Sequence, residues 1–117
     1  MTSITLVKAK DGSRLECKAS GHAGFAKSGE DIVCSAVTVL MRTAIQVFSE
    51  TSGVEFKTDT STRGLLTFSV ELKKSDSGDS IQNAERISTI GDFLQKGFES
   101  LSEEFPQNVT FELKLED

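Results

Sequence analysis

The sequence predicts an α+β domain: a mostly antiparallel sheet of about five strands carrying two long helices on one face, in the order ββαββαβ. Three observations carry this expectation. Short segments with apolar residues at alternate positions recur at the start, middle and end of the chain; two long segments repeat apolar residues every three to four positions; and Asp11-Gly12 and Arg63-Gly64 fall between paired strand segments, where hairpins turn. With 117 residues the chain fits one domain spanning 1–117. A domain of that size buries roughly two-thirds of the surface its unfolded form exposes.

Ile4 to Ala9 and Arg14 to Ser20 read as a hairpin across Lys10-Asp11-Gly12-Ser13. Leu15, Cys17 and Ala19 then share one strand face, so Cys17 is expected as a small buried apolar group. Gly21 ends that strand, His22 follows, and Ala23 to Gly29 form a loop of mostly small residues with glycines at 24 and 29. Ser28-Gly29-Glu30-Asp31 has capping-box spacing, placing a helix start at Glu30 or Asp31. The β-branched run Ile32 to Val39 would pass for a strand, but Val33, Val37, Leu40, Ala44 and Phe48 hold helical spacing to a stop at Ser52-Gly53.

Val54 to Thr60 and Leu65 to Lys73 alternate as a second hairpin, and Lys74 to Ser80 is a polar connector. From Ile81 to Phe105 the set Ala84, Ile87, Gly91, Leu94, Phe98, Leu101 and Phe105 predicts a second helix, stopped at Pro106. Gly91 and Gly97 each cost that helix about 1 kcal/mol relative to alanine, which points to close approach by the first helix or a partner chain. Val109, Phe111, Leu113 and Leu115 complete a last strand. One layer of helices leaves the other sheet face partly open, so self-association as a homodimer is expected.

Composition excludes several classes of function. The net charge is −5 and tryptophan and tyrosine are absent, which gives nucleic acid little to bind. Lys8, Lys10, Arg14 and Lys18 are read as a solvated strand face rather than a phosphate-binding patch. No apolar run approaches the roughly 18 residues of a membrane span, and two cysteines with no signal segment suit a reduced cytoplasm. No metal or cofactor is expected, because one histidine and two separated cysteines lack the close ligand pairs of a zinc site.

The chemistry concentrates between Gly21 and Val39, which hold the one histidine of the chain and one of its two cysteines. A thiol nucleophile needs a base, and His22 is the one imidazole the sequence offers. Cys34 falls in or just after the first helical turn, where unpaired N–H groups and the helix dipole favour a thiolate, while Glu30 and Asp31 oppose it. Asp31, Cys34 and Thr38 lie along one stripe of the helix. Asp31 either orients the imidazole as a third triad member or complements the positive helix end. Residue type alone also allows Cys34 to be a passively packed side chain.

GHA at 21 to 23, Gly29, and DIVCSAVT at 31 to 38 resemble the signature of the ribosomal-processing cysteine proteases called Prp, including the eleven residues between His22 and Cys34. The resemblance implies a small cytosolic dimer that removes a short N-terminal extension from bacterial large-subunit ribosomal protein twenty-seven, supporting ribosome assembly. It implies Cys34 as nucleophile and His22 as general base and later acid. Asp31 matches the family's acidic position, and Thr38 stands where members often have serine. The loop containing Gly24 and Gly29, which leaves the strand at Gly21, would close over an extended peptide. The competing expectation is a non-catalytic, ribosome-associated peptide-binding or assembly protein on the same fold.

Overall fold

The computed structural model describes residues 1–21, 30–73 and 79–117, with the side chains of Glu30 and Asp31 outside the description. Its elements are β1 (Thr2–Ala9), β2 (Arg14–Ser20), α1 (Glu30–Ser49), β3 (Val54–Asp59), β4 (Leu65–Leu72), α2 (Ser80–Glu104) and β5 (Val109–Glu116). The order ββαββαβ is the expected one. The predicted capping serine, Ser28, and most of the 74–80 connector lie outside the described residues.

The five strands form one sheet in the order β3-β4-β2-β1-β5. Three of its ladders are antiparallel, while β1 and β5 run parallel, so the sheet is mixed. The helices explain the parallel pair. Two hairpins supply β1–β2 and β3–β4, whereas α2 carries the chain over the sheet from β4 to β5, and a crossover of this kind joins strands of like direction. Alternation alone could not reveal which strand β5 would join.

The first hairpin turns where Asp-Gly predicts. Gly12 takes φ +78°, its N–H donates to the Ala9 carbonyl at 3.1 Å, and Ser13 N–H donates to Asp11 Oδ1 at 3.0 Å. Side-chain parity then sets the faces. Ile4 and Leu6 of β1, Leu15, Cys17 and Ala19 of β2, and Leu66, Phe68 and Val70 of β4 all point toward the helices and are buried. Val33, Val37, Met41, Ala44 and Phe48 of α1 and Ile87, Leu94 and Phe98 of α2 close over them. Full burial of such side chains stabilises by about 1.5–3 kcal/mol each, so this single layer is the main source of stability.

Three expectations need correction in detail. Of the four basic residues read as a solvated strand face, Lys8 departs, turning toward α2 and donating to Asp92 at 2.5 Å and Gln95 at 3.0 Å, whereas Lys10 pairs with Asp117, Arg14 pairs with Glu16 and Glu116, and Lys18 is exposed on the helix-free face. Gly91 is small because it meets the sheet, since a Cβ there would sit 3.2 Å from Leu15 Cδ1, whereas at Gly97 the neighbour is Leu40 of α1 at 3.1 Å. Ile32–Ser49 is, by length and mean hydropathy of 1.6, apolar enough to span a membrane. Its apolar content is accounted for in part by the Val33-to-Phe48 stripe that fills the core.

Candidate active site

The candidate site lies where β1 begins and α1 starts. Thr2 N–H donates to the Asn108 carbonyl at 2.8 Å, seating the first residue of β1 against the turn before β5. On its other side β1 pairs with β2 up to Ser3 opposite Ser20, and Gly21 continues one step further. Gly21 N–H donates to the Gly64 carbonyl at 2.9 Å, and Gly21 takes φ +90°, a left-handed conformation that L side chains resist. A Cβ at Gly21 would overlap the Met1 carbonyl oxygen and lie 3.8 Å from Thr2 Cα. Glycine is therefore required here by conformation and by space, and the chain direction leaving β2 is fixed up to the residue before His22.

Cys34 is the fifth residue of α1 and is half-buried, flanking the core stripe that starts at Val33. Its Sγ lies 3.9 Å from Thr2 Oγ1. Thr2 thus meets Cys34 with its side chain and stands beside Gly21 with its Cα, which brings the end of β2 within about 12 Å of the sulfur, the span of one threonine and two close contacts. Thr38, also half-buried, follows one turn after Cys34, so the expected stripe is present along the unbroken helix for those two residues. Asp31 belongs to the first turn of the helix, with its side chain outside the description. His22, Gly24 and Gly29 lie outside the described residues.

The two thiols differ in environment. Cys17 is 2% exposed beneath the helices, and burial pushes its pKa up to about 12. A thiol held protonated and covered on both sides is a packing group, as alternation along β2 indicated. Cys34 is the accessible one of the pair. Thr2, by contrast, carries no signal in a linear reading: it stands 32 positions from Cys34 and at the first residue of a strand.

A hollow of about 570 Å³ opens on the helix-free sheet face, among Thr5, Val7, Lys18, Lys57, Asp59 and Lys114. It is on the side of the sheet opposite α1, away from Cys34, and its side chains offer no nucleophile of comparable reactivity. Among the described residues, no three His, Cys, Asp or Glu side chains gather as a metal site requires.

Comparison with known proteins gives the family of the chain. A family model described as cysteine protease Prp matches residues 1–110. The ribosomal processing cysteine protease Prp of Mycoplasma pneumoniae is 32% identical over 99 residues, covering 85% of this chain and 87% of that protein. Among solved structures, a Streptococcus mutans protein superposes with a TM-score of 0.70 at 24% identity, covering 99% of this chain and 96% of its own. The ribosomal processing protease Prp of S. aureus, crystallised with a substrate peptide, superposes with a TM-score of 0.72 at 14% identity, covering 97% of this chain and all of that one. With the match running from the first strand into the last, and a half-buried cysteine at the head of the first helix, the chain belongs to the cysteine protease Prp family.

Proposed function

We propose that the chain, acting as a single domain over residues 1–117, is the cytoplasmic endopeptidase that trims the N-terminal segment of its host's large-subunit ribosomal protein twenty-seven. The observation that carries this reading is the placement of Cys34, half-buried at the start of α1 and close to the strand end that leads into His22. Since consecutive Cα atoms are about 3.8 Å apart, an imidazole one residue beyond Gly21 has the reach to meet the sulfur. Kinship supports a ribosomal substrate: the M. pneumoniae relative is a ribosomal processing protease, and the S. aureus Prp holds a substrate peptide.

In this mechanism His22 takes the thiol proton, and Cys34 Sγ attacks the scissile carbonyl carbon to form a tetrahedral adduct. The adduct collapses to a thioester as the C–N bond breaks, and His22 passes the proton to the leaving amine. Water then attacks the thioester, releasing the N-terminal fragment as a carboxylic acid and restoring the thiol. Backbone N–H groups in the first turn of α1 hold the developing oxyanion, and the positive end of the helix favours both anionic states. Asp31 supports the imidazole, Thr38 lines the same helical stripe, and the segment with Gly21, Gly24 and Gly29 covers the extended peptide. The reaction calls on no metal or cofactor. The working unit is a homodimer, which covers surface that a single layer of helices leaves open.

The test is mass spectrometry of the host's own ribosomal protein twenty-seven, incubated under reducing conditions with the wild-type chain and with Cys34→Ala. One cut near the N-terminus, present with wild type and lost in the variant, is expected. An intact precursor that carries an extension, after incubation with folded wild-type enzyme, would overturn the assignment of substrate; a cut that persists in Cys34→Ala would overturn the nucleophile.

A further inference from the structure

Thr2, at the head of β1, has no part in the proposed mechanism. Its residue is 2% exposed, one of two buried polar or charged residues among those described. The other, Asn83, is accounted for by the bond from its Nδ2 to the Ser52 carbonyl at 2.9 Å. Buried hydroxyls are almost always hydrogen-bonded, because desolvation without a partner costs about 1–3 kcal/mol. Among the described residues, the one hydrogen-bonding neighbour of Thr2 Oγ1 is Cys34 Sγ. A threonine kept from water at the head of β1, with its hydroxyl directed at a half-buried sulfur on α1, serves the sulfur.

We infer that Thr2 is a positioning residue for the nucleophile, whose hydroxyl donates to Cys34 Sγ and favours the thiolate over the thiol. The inference rests on Cys34 being the nucleophile. In the neutral state either atom can donate, and 3.9 Å is a long, weak contact. Once the thiol loses its proton the sulfur only accepts, so the Thr2 hydroxyl must donate, and a donor to an ionised acceptor binds more tightly and at shorter range. The preference for the charged state comes from that difference. Thr2 also has little freedom to turn away: its backbone N–H is bound to Asn108, and its neighbour Ser3 is paired on both sides, with Ser20 and Thr110. Sulfur and hydroxyl are therefore held in register by the sheet rather than by a mobile loop.

Thr2→Val removes the hydroxyl while keeping a β-branched shape suited to a strand, and Thr2→Ser keeps the hydroxyl. The readout is the rate of alkylation at Cys34 against pH, followed by peptide-mapped mass spectrometry so that Cys17 does not contribute. The ionisable groups nearest in the chain are Glu30 and Asp31 on α1, His22 before it, and the amino terminus of Met1. All are common to wild type and variants, so the difference reports Thr2. In Thr2→Val the midpoint should rise by about one pH unit, and kcat/KM for peptide cleavage should fall about tenfold at neutral pH with little change in KM. Thr2→Ser should restore most of both.

Superimposable alkylation profiles for wild type and Thr2→Val, with both folded, would overturn the role of Thr2 while leaving Cys34 as nucleophile. If Thr2→Val lowers activity only by unfolding, the alkylation profile of its folded fraction will not move, which also overturns it. A shifted midpoint together with undiminished cleavage by Cys34→Ala would instead remove the nucleophile, and with it any catalytic meaning of the contact.

Discussion

The burial of Cys17 has a consequence at alkaline pH that can be measured without substrate. In the folded chain its pKa is pushed up from 9.0 to about 12 by desolvation, while in the unfolded chain the thiol ionises near the ordinary value. Between those two values the unfolded state sheds a proton that the folded state keeps, so stability falls as pH rises from about 9 to about 12. The contribution is fully present below pH 9 and has gone above pH 12. At pH 10.5 the loss is about 2 kcal/mol, from a gap of one and a half pH units at 1.36 kcal/mol each. The assay is urea unfolding under reducing conditions at pH 8 and at pH 10.5, for wild type and for Cys17→Ala. The variant should be about 1–2 kcal/mol less stable at pH 8, because alanine leaves a small void, yet its loss between the two pH values should be about 2 kcal/mol smaller. The remaining ionisable groups are common to both chains and cancel. Parallel loss in the two proteins would refute the reading of Cys17 as a buried, protonated packing group.

Two further expectations concern the site and the assembly. Gly21→Ala forces an L residue to φ +90° and pushes its Cβ into the Met1 carbonyl, so it should cost about 2–3 kcal/mol in urea unfolding and lower kcat/KM about tenfold or more by displacing the segment that carries His22; an unchanged unfolding midpoint would show that the β2 end is not held as described. Light scattering at micromolar concentration should give twice the 12.7 kDa chain mass, and a monomer under those conditions would remove the homodimer.

Most elements of the fold were legible because their signals are local. Alternation placed Leu15, Cys17 and Ala19 on the inner face of β2, helical spacing distinguished α1 from a valine-rich strand, and Asp11-Gly12 marked its turn. The parallel partnership of β1 with β5 was not legible, because periodicity tells which side of a strand is apolar and nothing about its neighbour. The same blindness hid Lys8. Its parity puts it on the helix side of β1, where it reaches Asp92 beyond the edge of the core instead of joining a basic strand face. In the candidate site, the place of Cys34 near a helix start was legible, whereas its neighbour Thr2 was not, because their contact exists only once β1 occupies an interior position in the sheet.

That interior position also sets the end of the sheet apart from the open hollow on its helix-free face. In the hollow, Lys18, Lys57, Asp59 and Lys114 stand on an open face where water screens each charge. At the strand ends the conditions reverse. The head of α1 supplies a fixed positive dipole, the first residue of β1 supplies a covered hydroxyl at 3.9 Å, and Gly21, the residue that follows β2, is held by a left-handed backbone and by the Gly64 carbonyl. Each comes from a different element, and β1 touches both of the others because the order β4-β2-β1-β5 leaves it flanked on either side. A nucleophile on α1 therefore inherits its surroundings from the sheet's topology, and moving Cys34 by one residue along the helix would turn it about 100° away from Thr2 without changing the fold.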